Sequence, residues 1–258
     1  MSSLTWQIVN VVTLVVVLVA NGMAGSGALS GESIGVVANR YPSYFLPAGW
    51  VFGIWSLIYL WLVAFAVYQA LPAQRRSGFV ERVGPWWLVN GVLNTGWVVA
   101  FSFSFFGIAM ALIVGLLLCL IVMGERLGAH RDGVSVGDRW FAAYPFGLYL
   151  AWISVAVIAN AGQYLTYLEW GGWGIPGRVW SVLMMVAATA LGLVMMIRRG
   201  VWLFPLVVGW ALAGIADRFS GDPLLVRAAW AMTALGLAGL AVATLARGSA
   251  RGAPGEPG

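Results

Sequence analysis

The sequence predicts an all-α, polytopic membrane bundle. Three observations carry that reading. The chain of 258 residues is 61% hydrophobic and 9% charged, far from the balance of a soluble domain. Apolar runs of roughly 16–22 residues recur along nearly its whole length, each close to what about 30 Å of hydrocarbon demands of a helix. No polar stretch is long enough to hold a separate soluble domain.

Eight spans follow from the apolar pattern, at about 6–24, 48–71, 84–104, 107–124, 140–162, 179–197, 201–216 and 228–246. The first resembles a signal peptide in having an apolar stretch before the small residues AGSGA. No basic residue precedes that stretch, so it reads as a retained helix. Spans three and four are joined by the short FSFSFFG connection and predict an antiparallel hairpin. Gly107, Ala111 and Gly115 on span four allow close helix approach. Span seven is short and contains Pro205, which predicts a kink or little tilt. The stretches 25–47 and 163–178 are the longer connections. They share one side and together can cover a cavity. The Tyr and Trp of GQYLTYLEWGGWGIPGR suit the membrane interface.

Charge placement bears on orientation. All 14 basic residues other than His are arginine. Ten of them (Arg75, Arg76, Arg82, Arg126, Arg131, Arg139, Arg198, Arg199, Arg247 and Arg251) fall on the side shared with both termini. Four (Arg40, Arg178, Arg218 and Arg227) fall on the other. With eight spans, this bias predicts both termini in the cytoplasm. The net charge of +5 reads as topological signalling in short loops rather than nucleic-acid binding.

The candidate site comes from where tryptophan sits. Trp favours the two edges of a bilayer, yet of the 15 here Trp55, Trp97 and Trp152 fall inside apolar segments. Three helical stripes contain them. Phe52, Trp55 and Tyr59 share a face of span two. Asn90, Asn94, Trp97 and Phe101 share one of span three. Tyr149, Trp152, Ala156 and Asn160 share one of span five. Trp50 and Trp61 point elsewhere, to the interface and to lipid. Each stripe alone also fits helix–helix contact, with Asn as glue worth about 1 kcal/mol or less. Together they describe an aromatic pocket with a few hydrogen-bonding groups.

Other chemistries are excluded by what is missing. No Asp, Glu, Lys, Arg or His lies mid-span, with Asp217 only at the end of span seven. Proton- or ion-coupled pumps generally need such groups. The single His130 sits in a basic loop, so a metal site or bis-His haem is not expected. The single Cys119 permits no intrachain disulfide and reads as packing. No GxSxG, phosphate loop or Ser–His–Asp arrangement points to hydrolysis.

Three segments, in order, resemble the TspO/MBR family, the tryptophan-rich sensory proteins related to the mitochondrial translocator protein (peripheral benzodiazepine receptor). They are LPAGWVFGIWSLIY, NTGWVVAFSFSFF and LYLAWISVAVIAN. The resemblance covers residues 1–165. It implies a five-helix transmembrane core over that range. The apolar pattern adds a C-terminal three-helix extension at 166–247, where family members usually end after five helices, and the Gly/Pro-rich tail at 248–258 is expected to be disordered. The resemblance also implies a pocket for flat hydrophobic ligands such as porphyrins. Trp55, Tyr59, Asn94, Trp97, Tyr149, Trp152 and Asn160 match family positions. In some bacterial relatives the pair matching Trp55 and Trp152 is implicated in light- and oxygen-dependent porphyrin breakdown. This makes the two the candidate catalytic residues should the protein be an enzyme. No cofactor is expected apart from a tetrapyrrole as ligand. The expected partners are the lipid bilayer and that ligand, with a homodimer left open and no nucleic acid.

The chain departs from the family pattern in two places before the extension. Trp50 is one residue nearer Trp55 than usual. Tyr164 and Tyr167 lead to Glu169 rather than to a basic residue, so the family's sterol motif is not expected to work here. The readings that remain are a ligand-binding sensor or carrier, a metal-free porphyrin-degrading enzyme, a transporter of an uncharged solute, and a structural protein without a ligand.

Overall fold

The computed structural model describes residues 2–75, 79–127 and 135–252, with side chains left out for 79 and 247–252. His130, Arg76, Arg131 and the end of the tail lie outside the described residues. The elements are α1 (Ser3–Ser26), a short α2 (Ile34–Ala38), a 3-10 turn (Gly49–Gly53) leading into α3 (Ile54–Ala70), α4 (Phe79–Ser102), α5 (Phe106–Leu127), a single turn α6 (Val136–Asp138), a π turn (Arg139–Ala143) leading into α7 (Tyr144–Tyr167), α8 (Gly177–Arg199), α9 (Leu203–Arg218) and α10 (Pro223–Gly252). The protein is all-α, and a helix stands at each of the eight expected spans.

Among the described residues, six of these helical segments are long and apolar enough to cross a membrane: α1, α3 with its entry turn, α5, α7 with the turns before it, α8 and α10. The two others have physical reasons to differ. α9 has 16 residues and reaches roughly 24 Å. α4 is diluted by Glu81, Arg82, Asn90 and Asn94.

Local chemistry sets the ends. The Ser2 hydroxyl accepts from the Thr5 amide at the start of α1, and Gly27 closes it at φ 82°, a conformation that favours glycine. α4 and α5 form the expected hairpin, turning at Ser104 with φ 62°. Pro205 does not kink α9, because it lies in the first turn, where a missing N–H breaks no helical bond.

α7 is the central helix. Every residue from Leu148 to Ala156 is buried, so this stretch has no lipid face. α1 and α4 pack as a pair, α4 pairs with α5, α5 lies against α7, and α9 covers another side of α7 while packing with α8 and α10. Small residues permit the closest approaches. A Cβ on Gly91 of α4 would stand 2.1 Å from Thr13 Cγ2 of α1. The small residues of α5 serve two neighbours: Gly107 faces Tyr164 of α7, and Gly115 faces Leu93 of α4. Cys119 is buried and its thiol donates to the Trp86 carbonyl.

A polar knot absent from the sequence reading ties α1 to the end of α3. Gln7 Nε2 donates to the carbonyl of Gln69 at 2.7 Å, and Asn10 Nδ2 donates to Gln69 Oε1 at 3.2 Å. Arg75 Nε donates to Gln7 Oε1 at 2.8 Å, and the Trp87 indole donates to the Asn10 carbonyl at 2.9 Å. Gln7, Asn10 and Gln69 are all buried. Amides in hydrocarbon need partners, and here most of their groups find one another, with Asn10 Oδ1 left unpartnered among the described residues.

The first long connection is fastened on several sides. Arg40 pairs with Glu32 and donates to Ser104 Oγ at 2.6 Å. Gln163 Nε2 of α7 donates to the Val37 carbonyl at 3.1 Å, and Arg218 of α9 donates to Asn39 Oδ1 at 2.8 Å. The segment before α3 docks on α9, where the Ala48 amide donates to the Gly214 carbonyl at 3.0 Å.

Candidate functional site

Helical spacing places the three stripes on inward faces, and α3, α4 and α7 bring them together. Trp55 is the hub. Its ring stacks on Tyr59 one turn along α3, with centroids 5.3 Å apart and planes at 22°. It also stacks on Trp97 of α4, at 6.0 Å and 26°. Two rings of α7 meet it edge-on, Tyr149 at 5.9 Å and Trp152 at 6.2 Å with an interplanar angle of 88°. Phe52 meets Trp152 at 6.1 Å, and Phe101 tilts against Trp97 at 5.8 Å. Stacked and edge-to-face pairs at these distances each contribute about 0.5–1.5 kcal/mol beyond area burial.

The polar members hold the rings in place. Asn94 Nδ2 donates to the Tyr149 hydroxyl at 2.7 Å. The Trp97 indole donates to Asn160 Oδ1 at 3.2 Å, and Asn160 in turn donates to the Ala156 carbonyl one turn back. Nine of the ten predicted residues thus join through direct contacts. The tenth, Asn90, lies one turn from Asn94 on the same buried face, with its Nδ2 unpartnered among the described residues.

The cluster has a fixed side and a looser one. Tyr149 and Trp152 are fully buried, whereas Phe52, Trp55 and Tyr59 are half-buried. The Trp152 Nε1 is buried and has no hydrogen-bond partner among the described residues. An indole N–H in apolar surroundings without an acceptor is uncommon.

Sequence reasoning missed one member. Asn21 of α1 donates to Asn94 Oδ1 at 2.8 Å and to the Val17 carbonyl at 2.8 Å. It extends the chain Asn21–Asn94–Tyr149 across three helices. An Asn in the apolar run of span one shares the buried-amide signal of Asn90 and Asn94 but lacks the aromatic stripe around it. Two other tryptophans make contacts that the sequence reading did not include. Trp50 does not simply face the interface: its indole donates to Asp217 Oδ2 of α9 at 2.9 Å, and its ring meets Trp210 edge-on at 4.7 Å. Trp61 packs against Tyr144 at 6.4 Å rather than only against lipid.

A family model described as TSPO-like protein matches residues 7–243. The chain belongs to the TSPO-like protein family. The matched region runs well past residue 165 and reaches into α10, so α8 and α9 lie within it. No curated protein and no solved structure matches the chain. Membership in the TSPO-like family agrees with a multi-pass membrane protein whose helices meet around aromatic side chains.

A large concavity of about 1040 Å³ lies elsewhere, at the end of α7 and the start of α8. Residues 42–45 of the first long connection and 170–176 of the second both line it, with Val157, Ile158, Ala161 and Leu165 of α7. Relative to Trp152 and Asn160, those α7 residues occupy the opposite face of the helix. The groove and the aromatic cluster are therefore separate features of this TSPO-like fold.

Proposed function

We propose that this protein is an integral membrane sensor or carrier that takes a flat hydrophobic ligand of the porphyrin or tetrapyrrole class. The ligand lies against the cluster of Trp55, Tyr59, Trp97, Tyr149 and Trp152. The observation that carries the reading is the parallel stack of Trp55 on Tyr59 and Trp97, floored by the unpartnered indole N–H of Trp152. Parallel aromatic faces suit a planar π-system, and a lone donor in an apolar wall fixes its orientation. The half-buried Trp55 and Tyr59 are the rings that must swing to admit it. The fixed Tyr149 and Trp152 form the wall. Membership of the TSPO-like family supports the same conclusion.

The test is a titration of detergent-purified protein with protoporphyrin, read by quenching of tryptophan fluorescence, beside the Trp55→Phe, Trp152→Phe double variant. Saturable quenching lost in the variant supports the reading. Identical quenching in both proteins removes the cluster from ligand binding.

One observation favours a second reading. Trp55 and Trp152 lie 6.2 Å apart, so both indoles would flank one ligand. Such a pair can act as electron donors to a photoexcited porphyrin in its light- and oxygen-dependent breakdown. Illuminating the saturated complex in air separates the two readings: loss of the porphyrin absorbance that needs both tryptophans marks an enzyme, and an unchanged spectrum marks a binder.

The topology belongs to the same proposal. Eight spans with both termini in the cytoplasm are supported by a helix at each expected position and by the ten-to-four arginine bias. A cysteine placed at Ser2 in a Cys119→Ser background tests it, since labelling from the outer side alone would overturn the orientation.

A further inference from the structure

The groove on the far face of α7 has the dimensions and chemistry of a lipid site. Its floor on α7 runs from Val157 to Thr166, a rise of roughly 14 Å. One leaflet of hydrocarbon is roughly 15 Å deep. The deep lining is aliphatic, with Val157, Ile158, Ala161, Leu165 and Met184. The rim is aromatic and changes character within a few residues. Trp170, Trp173 and Trp180 pack on one another there, with centroids 5.3, 5.5 and 5.9 Å apart.

The rim offers unused hydrogen-bond donors. The Trp180 indole is used internally, donating to the Gly172 carbonyl at 3.0 Å. Those of Trp170 and Trp173 have no partner among the described residues, and both side chains are exposed, Trp173 to 80%. Trp173 is also held at φ 54°, a conformation that non-glycine residues rarely adopt. Its ring is thereby carried out over the rim rather than folded into the helix bundle. The exposed Arg178 follows directly on the lining residue Gly177. The exposed acid of the stretch is Glu169. Indole N–H groups and guanidinium are donors only. They call for a ligand with acceptor oxygens above a long apolar chain.

We propose that this groove holds one bilayer phospholipid, its acyl chain along α7 between Val157 and Leu165, its ester and phosphate oxygens at Trp170, Trp173 and Arg178. The site is separate from the aromatic cluster and does not depend on what binds there.

The test uses full-length protein in nanodiscs of phosphatidylcholine doped with a phosphatidylcholine that carries a diazirine on its acyl chain. Adducts are mapped by mass spectrometry after photolysis. Labelling is expected to concentrate on Val157, Ile158, Ala161, Leu165 and Met184, above the exposed α10 residues Leu237 and Val242. Ala161→Trp fills the groove and is expected to reduce groove labelling roughly tenfold while leaving α10 labelling unchanged. The Trp170→Ala, Trp173→Ala double variant removes the two exposed rim rings and leaves the aliphatic lining in place. It is expected to reduce groove labelling by a similar factor, and it carries the test should Ala161→Trp fail to fold. Labelling spread evenly over the groove and α10, or indifferent to both variants, means annular lipid only and overturns the proposal. Displacement of the label by saturating protoporphyrin would also overturn it, because the groove would then be a tetrapyrrole site.

Discussion

Trp50 and Asp217, 167 residues apart in sequence, are joined by a hydrogen bond of 2.9 Å from indole to carboxylate. The bond ties the entry turn of α3 to the end of α9, and Trp210 secures the same turn by donating to the Val51 carbonyl at 3.0 Å. The helices after residue 165 are thus fastened to the segment that leads into the Trp55 stripe. A double-mutant cycle of Trp50→Phe and Asp217→Ala is expected to show a coupling of about 0.5–1 kcal/mol in thermal unfolding. Strict additivity would mean that the bond contributes nothing in the membrane.

Gly214 supplies the room for that docking. A Cβ at this position would stand 2.0 Å from Val51 Cγ2 and 3.2 Å from Pro47 Cβ. Valine is branched at Cβ and cannot withdraw one methyl without turning the other toward a neighbour. Gly214→Ala is expected to destabilise the protein by about 1–3 kcal/mol, measured as a lower melting temperature in detergent. A melting temperature equal to the parent's would show that the turn can retreat from α9.

Asn94 joins α1, α4 and α7 through Asn21 and Tyr149. Asn94→Leu removes both bonds at once and leaves a buried hydroxyl without its donor. A loss of about 1–3 kcal/mol is expected. Tyr149→Phe breaks only one of the two bonds, so a smaller loss is expected. The reverse order of the two variants would show that the Tyr149 hydroxyl matters more than the two Asn94 bonds together, since phenylalanine keeps the ring.

Trp152→Phe separates packing from binding. The Trp152 N–H has no partner among the described residues, so the substitution breaks no hydrogen bond there. Only ring volume is lost, at about 1 kcal/mol. The melting temperature should fall little while protoporphyrin affinity weakens several-fold. Unchanged affinity would take Trp152 out of the site.

Much of the candidate site was legible because helical spacing is a local rule. Trp55 and Tyr59, Asn94 and Trp97, and Trp152 and Asn160 are each three, four or eight residues apart, and such residues share a face whatever the helix packs against. Asn21 has no aromatic residue three or four positions away, so no stripe marks it, and its bond to Asn94 depends on where α1 packs against α4. The pairing of Trp50 with Asp217 follows no local rule. It depends on where α9 lands.

Composition and hydrophobic run length by themselves determined the all-α membrane class, the positions of the eight helices and the inward stripes of α3, α4 and α7. Hydrocarbon forces the backbone into helices, and period 3.6 then distributes the side chains. Only the tertiary structure decided that Trp55, Trp97, Tyr149 and Trp152 form one cluster, that α9 is buried beside α7, and that a groove opens on the other face of α7. Which helix faces which is set by close approach at residues such as Gly91 and Gly214 and by buried polar pairs. Those contacts join residues far apart in the chain, and no periodicity records them.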